Sequence, residues 1–200
     1  MTNINTSFSE DLPLNDNYFD KIYPDYIQRI SKRNWSSILA AKKASEFLFT
    51  KPGCKILDIG SGVGKFCIVG AMNTKGFFYG VEYRRDFIHI SQQVKNHYSL
   101  TNVTFLHENI LNINFTLYDA FYFFNSFYEY LDKDCAKDFQ SRPSLDVYIK
   151  CRNYMHFQLT QAPINTRVVT HSGLDSEIPL CYKLKKIDYK NDLKFWIKEE

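Results

Sequence analysis

The stretch Lys55-Ile56-Leu57-Asp58-Ile59-Gly60-Ser61-Gly62-Val63-Gly64-Lys65-Phe66 restricts what this chain can fold into more than any other. Ile56, Leu57 and Ile59 make a short apolar run bounded by turn residues, the pattern of a strand buried on both faces of a parallel sheet. Asp58 interrupts the run. A carboxylate there is costly unless it is hydrogen-bonded, so it is expected at the strand's carboxyl end, meeting the turn's amides or a ligand. Gly60, Gly62 and Gly64 allow a tight turn and a close approach of a ligand to the main chain. A helix beginning near Gly64 would aim its first amides at the same crevice. A phosphate-cradling loop needs glycine, four residues, then Gly-Lys-Ser or Gly-Lys-Thr; here Ile59 stands five positions before Gly64 and Phe66 follows Lys65, so that loop is excluded. A dinucleotide fingerprint needs a third glycine three positions after Gly62, where Lys65 stands, and this weakens that reading.

Composition sets the class. The 44% hydrophobic and 24% charged residues are those of a globular domain, and 200 residues suit a single one. A formal net charge of +3 is too small to require a nucleic-acid polyanion as partner. The five cysteines, Cys54, Cys67, Cys135, Cys151 and Cys181, are odd in number and contain no Cys-x-x-Cys pair. They read as reduced thiols of a cytoplasmic protein, with no zinc site and no disulfide framework. The start of the chain has neither the basic end nor the apolar core of a signal peptide, and no apolar run reaches membrane-spanning length. Export and a membrane partner are not expected.

Along the chain, Thr2 to Asp20 is polar and is expected to be poorly ordered unless it closes over a site. Tyr18, Phe19, Ile22, Tyr23 and Tyr26 form an aromatic cluster that either braces the next helix or forms a lid. Apolar residues from Ile27 to Leu48 recur at helical intervals, as two helices broken near Asn34-Trp35-Ser36. After the glycine turn come a helix over 66–72 and a second buried strand over 77–81. Glu82 follows directly. It places a carboxylate about 20 residues beyond the glycines at the end of the neighbouring strand, where it can accept hydrogen bonds from both ribose hydroxyls of a nucleoside. Tyr83, beside it, would lie along the base. A helix over 86–98, a third strand over 102–107, a fourth over 118–124, a helix over 145–158 and a fifth strand over 166–171 follow. Residues 181–187 and 192–198 alternate with period two around a turn, as an antiparallel hairpin. Its lysines, Lys183, Lys185, Lys186, Lys190, Lys194 and Lys198, are assigned to its solvated side.

The pattern acidic-x-Gly-x-Gly-x-Gly, with Asp58, Gly60, Gly62 and Gly64 on its key positions and Ser61 between, resembles the first motif of the class I S-adenosylmethionine-dependent methyltransferases. That resemblance implies an α/β, doubly wound, mainly parallel seven-stranded sheet with a C-terminal antiparallel hairpin and an N-terminal helical cap. It divides the chain into an N-terminal segment and helices over 1–50, a candidate lid, and a methyltransferase domain over 51–200. The cofactor implied is S-adenosylmethionine. In such enzymes an acidic or amide side chain after the third strand meets the adenine amino group and an apolar residue packs on the ring; Asn109 and Ile110 stand there, with Glu108 before them. Asn125-Ser126-Phe127-Tyr128 distantly resembles the Asn-Pro-Pro-aromatic motif of amino-group methyltransferases, without the prolines. It is more similar to the Asn-x-Phe arrangement of non-SET histone-lysine methyltransferases. Asn125, Phe127 and Tyr128 are therefore the candidate catalytic residues. Phe127, Tyr128, Tyr130 and Tyr23 could wall off water and face the sulfonium, and Glu129 could orient an amine. The expected activity is N-methylation, the acceptor being a protein, with lysine as one choice, or a small molecule. The alternatives are a nicotinamide-dependent oxidoreductase and a non-catalytic nucleoside-binding module of the same fold. The five histidines show no metal-ligand spacing and no nucleophile motif, so metal and hydrolase chemistry receive little weight.

Overall fold

The computed structural model describes residues 15–131 and 144–200. The polar start before Asn15, the Arg142-Pro143 break and Cys135 lie outside the described residues. The elements are α1 (Asp16–Phe19), α2 (Asp25–Asn34), α3 (Ile38–Leu48), β1 (Lys55–Ile59), α4 (Lys65–Asn73), β2 (Phe77–Glu82), α5 (Arg85–His97), β3 (Val103–His107), β4 (Ala120–Phe124), α6 (Leu145–Gln161), β5 (Arg167–His171), β6 (Tyr182–Asp188) and β7 (Leu193–Lys198). They build one seven-stranded sheet in the order β3-β2-β1-β4-β5-β7-β6. The first five strands in that order are parallel, and β7 runs antiparallel to both β5 and β6. This is the doubly wound sheet with a terminal hairpin that the sequence predicts. The chain leaves β1 toward β2 and β3, then returns to β4 on the other side. The carboxyl ends of β1 and β4 therefore flank the switch point, where sheets of this kind bind ligands.

Side-chain alternation sorts the apolar residues onto the two faces. In β4, Phe121 and Phe123 pack with α6 (Met155, Leu159), whereas Tyr122 faces the opposite cluster formed by α3, α4 and α5. The break between α2 and α3 falls at Trp35-Ser36-Ser37, where the Ser37 side chain caps α3 by accepting from the Ala40 amide at 3.1 Å. β4 starts at Ala120, two residues later than the apolar run suggests. Asp119 instead pairs with Lys55, its amide donating to the Lys55 carbonyl at 2.8 Å and its carboxylate accepting from the Lys55 amide at 2.7 Å.

Two expectations are corrected here. Tyr23 does not wall a site: it is 2% exposed, packed edge-on against Phe19, with its hydroxyl buried and its pKa raised, chiefly by that burial. The aromatic cluster is at this residue a brace. Lys198 is not on a solvated face. It is buried, and its ammonium donates to the carbonyls of Thr160 and Ala162 at 2.7 and 2.6 Å, satisfying groups that the end of α6 leaves open.

The N-terminal segment is tied down by charge. Lys65, at the start of α4 and only 2% exposed, lies 2.7 Å from both Asp16 and Asp20. Asp20 also accepts from Ser31 of α2 at 2.5 Å, and Asp16 accepts from the Ile38 amide of α3 at 2.9 Å. One buried ammonium thus joins the first helical turns of the described residues to the helix that follows the glycine turn.

Candidate active site

Gly60, Gly62 and Gly64 all have left-handed φ, at +72°, +55° and +80°. Gly64 also answers to packing, since a Cβ there would lie 2.4 Å from the Phe105 ring. The turn's amides are already committed: Ser61 donates to the Val81 carbonyl and Gly64 to the Ser61 carbonyl, both at 2.9 Å, and Gly62 donates to Glu82 at 3.1 Å. Asp58, 4% exposed, receives the Cys67 thiol at 3.5 Å. Burial, and then Asp58, push that thiol's pKa well up. The Ser61 hydroxyl is buried with no hydrogen-bond partner among the described residues.

Glu82 ends β2 beside the turn and is 2% exposed. Its carboxylate accepts from the Gly62 amide, from the Arg84 amide at 2.9 Å, and from Arg84 Nε and Nη2 at 3.0 and 3.1 Å. A carboxylate offers about four acceptor positions. All of them face protein donors. Arg84 is itself sandwiched, 4.4 Å from the Phe87 ring centre and 5.1 Å from that of Tyr83.

A cleft of about 480 Å³ opens here, bordered by Gly60, Glu82, Tyr83, Asn109, Ile110 and Phe127. The structure thus brings together residues predicted from four separate loops. Tyr83 and Tyr130 face one another across it with ring centres 6.4 Å apart. Asn109 carries a local duty as well: its side-chain oxygen accepts from the Leu111 amide at 3.0 Å, starting a short 3-10 turn. Glu108, held below the usual carboxylate range by Asn112 and the Asn109 amide, supports that turn from outside.

At the end of β4 the backbone is bent twice into the left-handed region, at Asn125 (φ +43°) and Phe127 (φ +80°). The Asn125 amide donates to the His171 carbonyl at 3.3 Å. Its side-chain oxygen is buried and has no partner among the described residues. Phe127 borders the 480 Å³ cleft, at the switch point of the sheet. Asn125 sits between residues that border the three clefts of this site, Phe124 and Ser126, without bordering one itself, and Tyr128 borders none of the three and packs edge-on against Tyr148, 6.2 Å away. The Glu129 side chain lies outside what is described.

Two further clefts continue the crevice. One of about 320 Å³ runs under the glycine turn, bordered by Asp58, Ser61, Gly62, Trp35 and Tyr122. The other, about 1070 Å³, is bordered by Trp35, Lys65, Phe124 and His171 together with the hairpin turn. His171 and Trp35 escaped the sequence reading. His171 carried one usable signal, since it closes the strand next to β4 just as Asn125 follows β4. Its Nδ1 is 3.0 Å from the Tyr122 hydroxyl, which lies 2.5 Å from that of Ser36. Burial pushes the imidazole pKa down to about 4, partly opposed by Asp192.

The residues present fit the nucleoside and amino-acid parts of S-adenosylmethionine: an apolar cleft beside a carboxylate, then a turn whose Ser61 hydroxyl has no partner among the described residues. A family model described as a methyltransferase domain matches residues 50–145. No curated protein sequence matches the chain. Among solved structures, TrmN from Thermus thermophilus superposes with a TM-score of 0.59 at 12% identity, over 86% of this chain and 52% of its own. The chain thus spans about half of that protein. An RNA methyltransferase from Salinibacter ruber, solved with S-adenosylhomocysteine, gives 0.55 at 16% identity over 80% and 91% of the two chains. Magnesium protoporphyrin IX methyltransferase from Synechocystis PCC 6803, solved with bound S-adenosylmethionine, gives 0.59 at 12% over 90% and 89%. Identities this low speak for the fold alone, and the acceptors in those names differ from one another. The family model selects methyl transfer over the nicotinamide alternative and does not reach down to the histone-lysine branch. With the sheet order and the glycine turn beside Glu82 in agreement with it, residues 50–145 carry a methyltransferase domain on a chain with the fold of the class I S-adenosylmethionine-dependent methyltransferases.

Proposed function

We propose that this enzyme methylates a nitrogen, and that a protein lysine amine is the acceptor class. The observation that carries this is the Asn125 side-chain oxygen, buried and without a partner among the described residues at the end of β4. A buried carbonyl oxygen left so costs about 1–3 kcal/mol, which an N–H donor of the acceptor would recover. When bound, S-adenosylmethionine supplies an electrophilic methyl on a sulfonium. The chain's part is then positioning: Glu82 and Tyr83 hold the nucleoside, Ile110 and Phe127 exclude water, and Asn125 orients the amine lone pair. Tyr128 acts behind this, by fixing the loop against Tyr148. The small net charge and the low identity to the RNA enzyme give no ground for a nucleic-acid acceptor. Cys54, Cys67 and Cys181 are free thiols, which fits a cytoplasmic setting, and among the described residues no helix is long and apolar enough to cross a membrane.

The test uses cofactor labelled in its methyl group with size-fractionated lysate, followed by hydrolysis of the labelled fraction. Methyl-lysine in protein is the expected product; label in base-labile esters, or in RNA, overturns the reading. Asn125→Ala should lower turnover about a hundredfold while S-adenosylhomocysteine affinity, by calorimetry, stays within about threefold. Product binding without transfer to any fraction would favour the non-catalytic module.

A further inference from the structure

Ser36, Tyr122 and His171 are 4%, 1% and 9% exposed, and their polar atoms form a short chain. Ser36 Oγ lies 2.5 Å from Tyr122 Oη and 3.4 Å from His171 Nδ1, and Tyr122 Oη lies 3.0 Å from the same Nδ1. Two hydroxyl protons and one ring proton have to be placed. If Nδ1 carried the ring proton, it would donate to Tyr122 and Tyr122 to Ser36, leaving the Ser36 proton to turn out of the network into the 320 Å³ cleft that Ser36 also borders. If Nδ1 is bare, Ser36 donates to Tyr122 and Tyr122 donates to Nδ1, so both hydroxyl protons are used within the network. The second arrangement satisfies all three buried groups among themselves and puts the proton of the neutral ring on Nε2. Phe124 fixes the ring plane by stacking on it with centres 3.8 Å apart at 10°.

His171 is a wall of the 1070 Å³ cleft, and with Nδ1 turned inward its Nε2–H is the polar group left to face that space. The same cleft is bordered by three carboxylates, Asp16, Asp20 and Asp192, and two ammonium groups, Lys65 and Lys190, a formal balance of 2 − 3 = −1. A site of that sign attracts a cationic amine and repels a carboxylate, so the oxygen suited to the His171 N–H is a neutral carbonyl. We propose that His171 is a specificity residue, whose Nε2–H binds a main-chain amide carbonyl of the peptide that carries the target amine. The acceptor enters between the N-terminal helices and the hairpin turn, and it is a lysine within a peptide rather than a free amino acid or a simple amine. This rests on the acceptor being an amine, as argued above.

Two-bond ¹H–¹⁵N correlation NMR on the full chain at neutral pH reads the tautomer directly, with His171→Gln to assign the signals. The expected result is a bare Nδ1 and a protonated Nε2; a protonated Nδ1 overturns the proposal. With S-adenosylhomocysteine present, Nα-acetyl-lysine N-methylamide at tens of millimolar should shift the Nε2–H resonance, whereas n-butylamine and acetate should not. No shift, or an equal shift from acetate, overturns it. His171→Ala should cut label incorporation into lysate protein at least tenfold, and His171→Gln, whose side-chain amide can present an N–H there, should recover most of that loss. Equal loss in both variants counts against the proposal. If the unsubstituted protein does not bind S-adenosylhomocysteine by calorimetry, the methyl-transfer reading fails; if it binds and the NMR result is negative, only the role of His171 fails.

Discussion

A methyl group added at Gly64 would sit 2.4 Å from one carbon of the Phe105 ring and 2.9 Å from Ser91 Cβ, on a backbone at φ +80°. At Gly62 the added atom would meet only the Trp35 ring, at 3.9 Å, with φ +55°. Both substitutions by alanine carry the left-handed backbone cost of about 1–2 kcal/mol. Gly64→Ala adds an overpacking cost of about 1–3 kcal/mol. Urea denaturation should therefore place Gly64→Ala below Gly62→Ala by at least about 1 kcal/mol; equal midpoints would mean that Phe105 moves aside freely. The alternating glycines are thus not equivalent: Gly64 is demanded by the helix and sheet behind it, whereas Gly62 leaves room on the crevice side.

Between elements, the buried ammonium of Lys65 does what an apolar contact could not, because it holds α1, the turn at Asp20 and the start of α4 in one register. Removing one partner of a buried pair leaves an uncompensated charge, at a cost of about 3–5 kcal/mol. Lys65→Met should lose stability on that scale in urea, and Lys65→Met with Asp20→Asn should recover at least half of it. If the double variant is no more stable, the loss comes from packing rather than from charge. The order of elements was legible because β1, β2 and β4 are short, mostly apolar runs and because α2 and α3 part at a Trp-Ser-Ser break. Two details were not. The start of β4 and the end of α6 depend on Asp119 meeting Lys55 and on Lys198 reaching Thr160, pairings set by the sheet rather than by neighbours in sequence.

For the molecule as a whole, the legible part of the candidate site is the half built by consecutive loops after β1, β2 and β3, where each residue follows its strand directly. The other half was hidden because it assembles across long separations, with Ser36 from the N-terminal break, Tyr122 from mid-strand and His171 from β5. Tyr122 read as core, and it is core, but its hydroxyl also serves the network. That network makes the fold sensitive to acid. His171 has a pKa of about 4 when folded and an ordinary value near 6.5 when unfolded, so the unfolded chain binds more protons between those values and stability falls as pH drops through that window. From pH 7 to pH 5 the contribution amounts to roughly 2 kcal/mol. The urea midpoint of the unsubstituted protein should fall more steeply over that interval than that of His171→Gln, and parallel curves would show that the imidazole is not kept neutral by the fold.

Arg84 closes on Glu82 with its amide, Nε and Nη2, and Gly62 fills the remaining position. A nucleoside whose ribose claims that acid must evict a guanidinium first, so occupancy is a swap of partners and not the filling of a vacancy. Stopped-flow mixing with S-adenosylhomocysteine should then show an observed rate that levels off as ligand rises, capped by how often the fork opens. In Arg84→Met the cap should vanish and the rate should climb linearly, which would make the gatekeeper of this enzyme a side chain only two positions from the acid it guards.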